Sequence, residues 1–99
     1  MAEYQLSLSC AATLEDIFVY TAERYGLPQA EAYHEGFHRI FGLLADFPMM
    51  GQSADEYRSG LRKFRYQSHM VFYTYEAHIV TIQHIIHHRQ DVRRHMLDE

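Results

Sequence analysis

The 99-residue chain contains a single cysteine, Cys10. One thiol cannot close an internal disulfide, so the core must hold the fold and nothing calls for an oxidising compartment. No apolar run approaches the roughly 18 residues that a membrane-spanning helix needs. The opening residues Met1 to Leu6 show no basic segment followed by an apolar stretch, the pattern of a secretory leader, and a cytoplasmic location is the expectation. A glycine-rich phosphate loop, a serine-centred elbow, internal repeats and low-complexity tracts are missing as well. Apolar residues, by contrast, are plentiful. They make up 47% of the chain and include eight tyrosines and six phenylalanines. A chain of this size buries roughly 60–70% of its extended surface, which suffices for one core, and the composition is the reverse of a disordered segment's. One domain spanning residues 1–99 is expected.

The net charge of −4 conceals an asymmetry. Residues 1–57 hold nine acidic and two basic side chains, a balance of −7, whereas residues 58–99 hold seven basic and four acidic ones, a balance of +3. A cationic half on an acidic protein points to an acidic partner, protein or nucleic acid. The plainer alternative is that the acids decorate solvated helix faces.

Tyr4, Leu6 and Leu8 alternate with polar residues, the period of a half-buried strand. The period then changes. Leu14, Ile17, Phe18, Ala22 and Tyr25 fall at i, i+3, i+4, i+8 and i+11, which predicts an amphipathic helix over 11–25, capped by Ser9 or Thr13 and stopped at Gly26. Pro28 suits the first turn of a second helix. Its apolar set, Ala30, Tyr33, Phe37, Ile40, Phe41, Leu44 and Phe47, lies within an arc about 120° wide, and Pro48 ends it. So short a link makes residues 10–47 a helical hairpin. Residues 48–60, with Pro48, Gly51, Ser53 and Gly60, read as a loop. Three runs rich in Phe, Tyr, Val and Ile follow at 61–66, 69–76 and 79–86, and their two-residue gaps make an antiparallel meander. The polar tail ends in a short helix or frays. The predicted class is α+β, in the order β-α-α-β-β-β, with the hairpin on one face of a small antiparallel sheet and the other face left apolar unless something covers it.

Candidate chemistry is sparse. His34-Glu35-Gly36-Phe37-His38 matches the helical zinc motif H-E-x-x-H, in which two imidazoles share a helix face and the glutamate activates water. The extended form of the motif fails, because Gly42 falls one residue late, and Gly36 weakens the helix at the supposed site. Asp55 or Glu56, the remaining candidates for a third ligand, sit in a loop. Flanking histidines are the better reading, and neither a metal nor a cofactor is expected. His84, His87, His88 and His95 form a second group able to move protons or bind metal, but without metal-ligand spacing. The basic set is Arg58, Arg62, Lys63 and Arg65, then Arg89, Arg93 and Arg94. On a strand, Arg62 and Phe64 face one way and Lys63 and Arg65 the other. Such cations, interleaved with aromatics, suit an RNA strand or an acidic peptide. Cys10 has no visible base partner.

The ordered string of motifs resembles the ParE toxins of the RelE/ParE superfamily. It comprises Tyr4-Gln5-Leu6-Ser7, Ala11-Ala12, Leu14-Glu15-Asp16-Ile17, Tyr20-Thr21-Ala22-Glu23-Arg24-Tyr25-Gly26 and Gln29-Ala30-Glu31. It continues with Leu44-Ala45-Asp46-Phe47-Pro48, Gly51, Glu56-Tyr57-Arg58-Ser59-Gly60-Leu61-Arg62, Tyr66, Ser68-His69, Phe72-Tyr73, Ile82 and Ile85-Ile86-His87-His88-Arg89-Gln90-Asp91. The likeness runs from residue 4 to about 96. Gln52 stands where the family usually has arginine, and His88 where it has glycine. The resemblance implies the RelE/ParE-like fold and a plasmid-stabilisation type of toxin, held silent in a hetero-oligomeric complex with a ParD-like antitoxin. Once free, such a toxin poisons DNA gyrase stoichiometrically and catalyses nothing itself. The alternative is a ribosome-dependent messenger-RNA endoribonuclease of the RelE type, for which the chain offers His87 or His88 with Arg62, Arg65 and Arg89. It shows no acid–base pair at fixed spacing for that chemistry, and its tail lacks the tyrosine of several cleaving relatives. The expected antitoxin-binding residues are Arg58, Arg62, Phe64 and Arg65, along a groove between hairpin and sheet. The expected target-binding residues are His87, Arg89, Gln90 and Asp91.

Overall fold

In the computed structural model, which describes residues 3–97, strand β1 (Glu3–Leu6) leads directly into helix α1 (Leu8–Tyr25). The helix starts earlier than the apolar period suggests. Ser7 holds extended backbone and its hydroxyl accepts from the Cys10 N–H at 3.1 Å, the N-cap arrangement that satisfies an orphan donor. Ser9 and Thr13, the expected caps, lie inside the helix, where the Thr13 hydroxyl donates to the Ser9 carbonyl. Leu8 therefore leaves the strand alternation and is 92% exposed. Gly26 ends α1 and begins α2 (Leu27–Asp46) in a single residue, at φ +95°, a conformation that L side chains rarely adopt. Pro28 falls in the first turn, as the sequence predicts.

After α2 a 3-10 turn (Pro48–Met50) and the two-residue strand β2 (Gln52–Ser53) precede β3 (Arg62–Tyr66), β4 (His69–Glu76), β5 (Ile79–His87) and a short helix α3 (Val92–Leu97). The five strands form one sheet in the order β1-β5-β4-β3-β2. The meander is antiparallel as expected, and β2 extends it antiparallel to β3. β1, however, joins β5 in parallel, so the sheet is mixed rather than wholly antiparallel. The β4–β5 loop places Ala77 and His78 at φ +51° and +66°, the left-handed pair that matches strand twist, without the usual Asn-Gly.

The hairpin-side core joins Cys10, Leu14, Phe37, Phe41 and Leu44 of the helices to Val71, Tyr73, Val80, Ile82 and Ile85 of the strands. Each such large side chain contributes about 1.5–3 kcal/mol on burial. The opposite sheet face is covered too. There Phe72, Ile86, Leu61 and Ala54 pack beneath Tyr57, Val92 and Met96, so residues 54–57 and α3 form the lid that the sequence left undetermined.

A bulge in β5 reconciles the two cores. Phe72 pairs with His84 and Tyr73 with Ile82, which leaves Gln83 as the extra residue. Gln83 is used: its carbonyl accepts from the Ser7 hydroxyl and its amide donates to Thr74. Beyond the bulge Ile85 faces the hairpin and Ile86 the lid. His87, opposite His69, returns to the hairpin side.

Candidate functional site

The segment that leaves β5 is a tight polar turn. The His87 N–H donates to the Gln90 side-chain oxygen at 2.9 Å, the Gln90 N–H to the His87 carbonyl at 2.9 Å, and the Arg89 N–H to His87 Nδ1 at 3.2 Å. The His88 N–H reaches back to the Ser68 carbonyl at 2.9 Å, and the His88 ring does the same at 3.2 Å. Asp91 starts α3, its carboxylate accepting from the Arg94 N–H. Of the four expected target-binding residues, Arg89, Gln90 and Asp91 are exposed and His87 is half-buried. The structure brings them into one element and divides their tasks. His87, Gln90 and Asp91 hold the turn, while the Arg89 guanidinium points into solvent with only its backbone engaged.

This turn forms one wall of a groove of about 730 Å³. His69, His87, Gln90 and His95 line it on the sheet and tail side, facing Asp16, Tyr20, Tyr25 and Tyr33 of the hairpin. The Tyr33 hydroxyl bonds His69 Nδ1 at 2.8 Å, and the His69 ring lies 5.2 Å from that of His87. Burial, with the neighbouring His87 and His88, pushes His69 down to about 4, so its ring is neutral at pH 7. His87 is lowered by desolvation and then by His88, Arg89 and Arg65. A base as weak as His69 abstracts a proton poorly at neutral pH, where a general base works best with a pKa near 7.

The four expected antitoxin-binding residues are not gathered into one patch. Arg62 faces the hairpin side, and its guanidinium donates to the Gly51 carbonyl at 2.5 Å and more weakly to that of Met49, so it braces the 3-10 turn from within. Tyr73 braces the same turn, its hydroxyl donating to Pro48 at 2.7 Å and accepting from the Gly51 N–H at 3.0 Å. A Cβ at Gly51 would overlap that hydroxyl, which explains the glycine. Phe64 is half-buried against the hairpin-side core. Arg58 and Arg65 are exposed, Arg58 in the loop before β3 and Arg65 on the lid side of the sheet. None of the four lines the groove, whose walls include His87 and Gln90 instead.

The family model for the ParE toxin of the parDE type II toxin–antitoxin system matches residues 4–92. The chain belongs to the ParE toxin family. It is 32% identical to a protein named Toxin ParE1 from Caulobacter vibrioides over 96 residues, covering 97% of this chain and 99% of the relative. It is 33% identical to Toxin ParE1 from Mycobacterium tuberculosis, covering 96% and 98%. A solved structure titled as the chromosomal ParDE TA system from P. aeruginosa superposes with a TM-score of 0.74 at 15% identity, covering 88% of this chain and 96% of that one, which supports the fold alone. This is accordingly a toxin of a type II toxin–antitoxin system.

Within this ParE chain the two histidines of H-E-x-x-H pack against aromatic rings, and of the two His38 alone forms a hydrogen bond among the described residues, while His34 Nδ1 is buried without one. His38 Nδ1 bonds the Tyr4 hydroxyl at 2.7 Å, and His34 packs edge-on against Phe18, 4.7 Å from His38. Gly36 lies under Tyr66, where a Cβ would overlap the phenol oxygen. His84 is buried in β5, with its ring 6.5 Å from that of His95. Tyr33 and His69, which link α2 to the turn, went unnoticed in the sequence as a pair. They are 36 residues apart, and only the apolar arc hinted that Tyr33 would point inward. At the two departures from the family pattern, Gln52 sits exposed on β2 and His88 ties the tail to Ser68.

Proposed function

We propose that this ParE toxin arrests growth by occupying DNA gyrase stoichiometrically, that it works in the cytoplasm, and that a ParD-like antitoxin silences it within a hetero-oligomeric complex. The observation that supports the first part is the turn at residues 87–91. Its hydrogen bonds hold an exposed polar surface in one shape before any partner arrives, and binding then costs little ordering entropy. The engagement of Arg62 with the Gly51 carbonyl favours a binding role over RelE-type cleavage, because it occupies inside the fold one of the cations that would stabilise a phosphorane. An amphipathic antitoxin segment finds apolar surface in the groove at Tyr20 and Tyr25 and at the end of α2, where Phe47 and Met49 are exposed.

Purified toxin mixed with gyrase and DNA, and separately with translating ribosomes, tests the proposal. Stalled gyrase–DNA cleavage products are expected. Catalytic cutting of messenger RNA with gyrase untouched would overturn it. Truncation after Ile86 is a poor companion test, since it removes Val92 and Met96 from the lid over Phe72. Arg89→Ala is cleaner, because only the Arg89 backbone holds the turn. Growth arrest should fall sharply with the fold intact, and a fully toxic variant would remove the turn from the mechanism.

A further inference from the structure

The charge asymmetry along the chain becomes a separation in space. The hairpin carries Glu15, Asp16, Glu23, Glu31, Glu35 and Asp46. The other sheet face and its lid carry exposed Arg58, Arg65, Arg93 and Arg94, with Lys63 half-buried among them. Three acids among these cations are engaged locally, while Glu3 and Glu76 lie exposed at the β4–β5 turn end of the same sheet face. Glu56 pairs with Lys63 at 3.6 Å, the one ion pair among the described residues. The Asp55 carboxylate accepts from the Gly60 N–H at 2.8 Å, and Asp91 caps α3. Arg93 lies over the Tyr57 ring at 5.0 Å and keeps its charge at the surface.

We infer that this lid-side face docks on the phosphate backbone of duplex DNA, so that the toxin grips the nucleic acid of its target complex as well as the protein. The inference rests on the gyrase reading and extends it. Two features favour a phosphate array over an acidic peptide. The cations come from three separate segments, the loop before β3, β3 itself and α3, which spreads point charges rather than focusing them. The apolar surface beneath them is also sealed, with Phe72 and Ile86 wholly buried under Tyr57, Val92 and Met96, so a peptide has little to bury there. Because the whole molecule is negative at −4, only one orientation is attractive, and the acidic hairpin turns away from the duplex.

The test is fluorescence anisotropy of a labelled random-sequence 30-base-pair duplex titrated with the full-length toxin, without gyrase, across a salt series. Each phosphate neutralised contributes about −0.9 to the slope of log affinity against log salt, so four arginines predict a slope of about −3 to −4. Arg65→Gln with Arg94→Gln should flatten that slope by about two and weaken binding at least tenfold at low salt. Both changes lie outside the buried cores, and circular dichroism checks the fold. Undetectable binding at low salt, or binding indifferent to the double variant, overturns the inference. So does equal affinity for polyglutamate, which would make the face a general acidic-protein surface. DNA binding without gyrase stalling upholds the duplex-binding face but sinks the gyrase reading, and with it the claim that the DNA gripped is that of the gyrase complex. Unchanged gyrase stalling by the double variant sinks the inference alone.

Discussion

The two glycines inside α2 should respond oppositely to the same substitution. Gly42 has open space around its Cβ position, so Gly42→Ala gains only the helix preference of alanine, about 0.5–1 kcal/mol of stability. At Gly36 the new methyl would overlap the Tyr66 hydroxyl. A phenol oxygen at the end of a mobile side chain would swing aside. Tyr66 is held, however, stacked on Tyr33 at 5.5 Å and set edge-on to Phe37 at 5.0 Å. Forcing such a ring out of place costs about 1–3 kcal/mol, which exceeds the propensity gain. Gly36→Ala should therefore end up less stable than wild type by up to about 2 kcal/mol, and about 1–3 kcal/mol below Gly42→Ala. At roughly 4–8 °C per kcal/mol for a domain of this size, thermal melts separate the two variants plainly. Removing the obstruction is the control. In a Tyr66→Phe background the cost of Gly36→Ala should shrink by about 1 kcal/mol or more, a coupling that urea titration of all four proteins would measure. A Gly36→Ala protein as stable as Gly42→Ala, or additive effects in the cycle, would refute the packing argument.

Three further outcomes follow from other contacts. The depressed His69 ring prefers to be neutral in the folded state, so the unfolded chain binds more protons between its ordinary value near 6.5 and about 4. Stability should be full above pH 6.5 and decline as pH falls through that window, by about 1–2 kcal/mol once water contact is discounted, with the lowered His38 and His87 acting in the same direction. Urea midpoints that stay flat from pH 7.5 to 4.5, or an unaltered slope in His69→Gln, would contradict this. Tyr73→Phe strands the Gly51 N–H and a bond to the Pro48 carbonyl, and should cost about 1–3 kcal/mol in a urea titration; a loss under 0.5 would show that the turn is not braced there. Phe47→Asp should weaken the complex with the cognate antitoxin by roughly tenfold or more, since it sets a charge on exposed apolar surface that the antitoxin segment would cover; unchanged affinity by calorimetry would remove Phe47 from that interface.

Some of this molecule was written in local pattern. The apolar arcs of α1 and α2, the stop at Gly26, the Pro48 boundary and the two-residue gaps of the meander depend on neighbours in sequence, and their periodicity survives into the structure. So does the opposite facing of Arg62 and Lys63, because strand alternation is a local rule. The parallel seat of β1 beside β5 was not legible, as it pairs residues about 76 positions apart with no turn to signal it. Nor was the Gln83 bulge, which sends Ile85 and Ile86 to opposite cores and aims His87 at His69. The engagement of Arg62 with Gly51, rather than with a partner, likewise required the 3-10 turn to be folded beneath it. Sequence alone settled the two long helices, β1 and the three meander strands, because these depend on periods of two and 3.6 residues, but it reads the 3-10 turn and β2 as loop and leaves α3 open. Tertiary packing decided which polar side chains are spent inside the fold and which remain for a partner, because that depends on contacts between segments far apart in the chain.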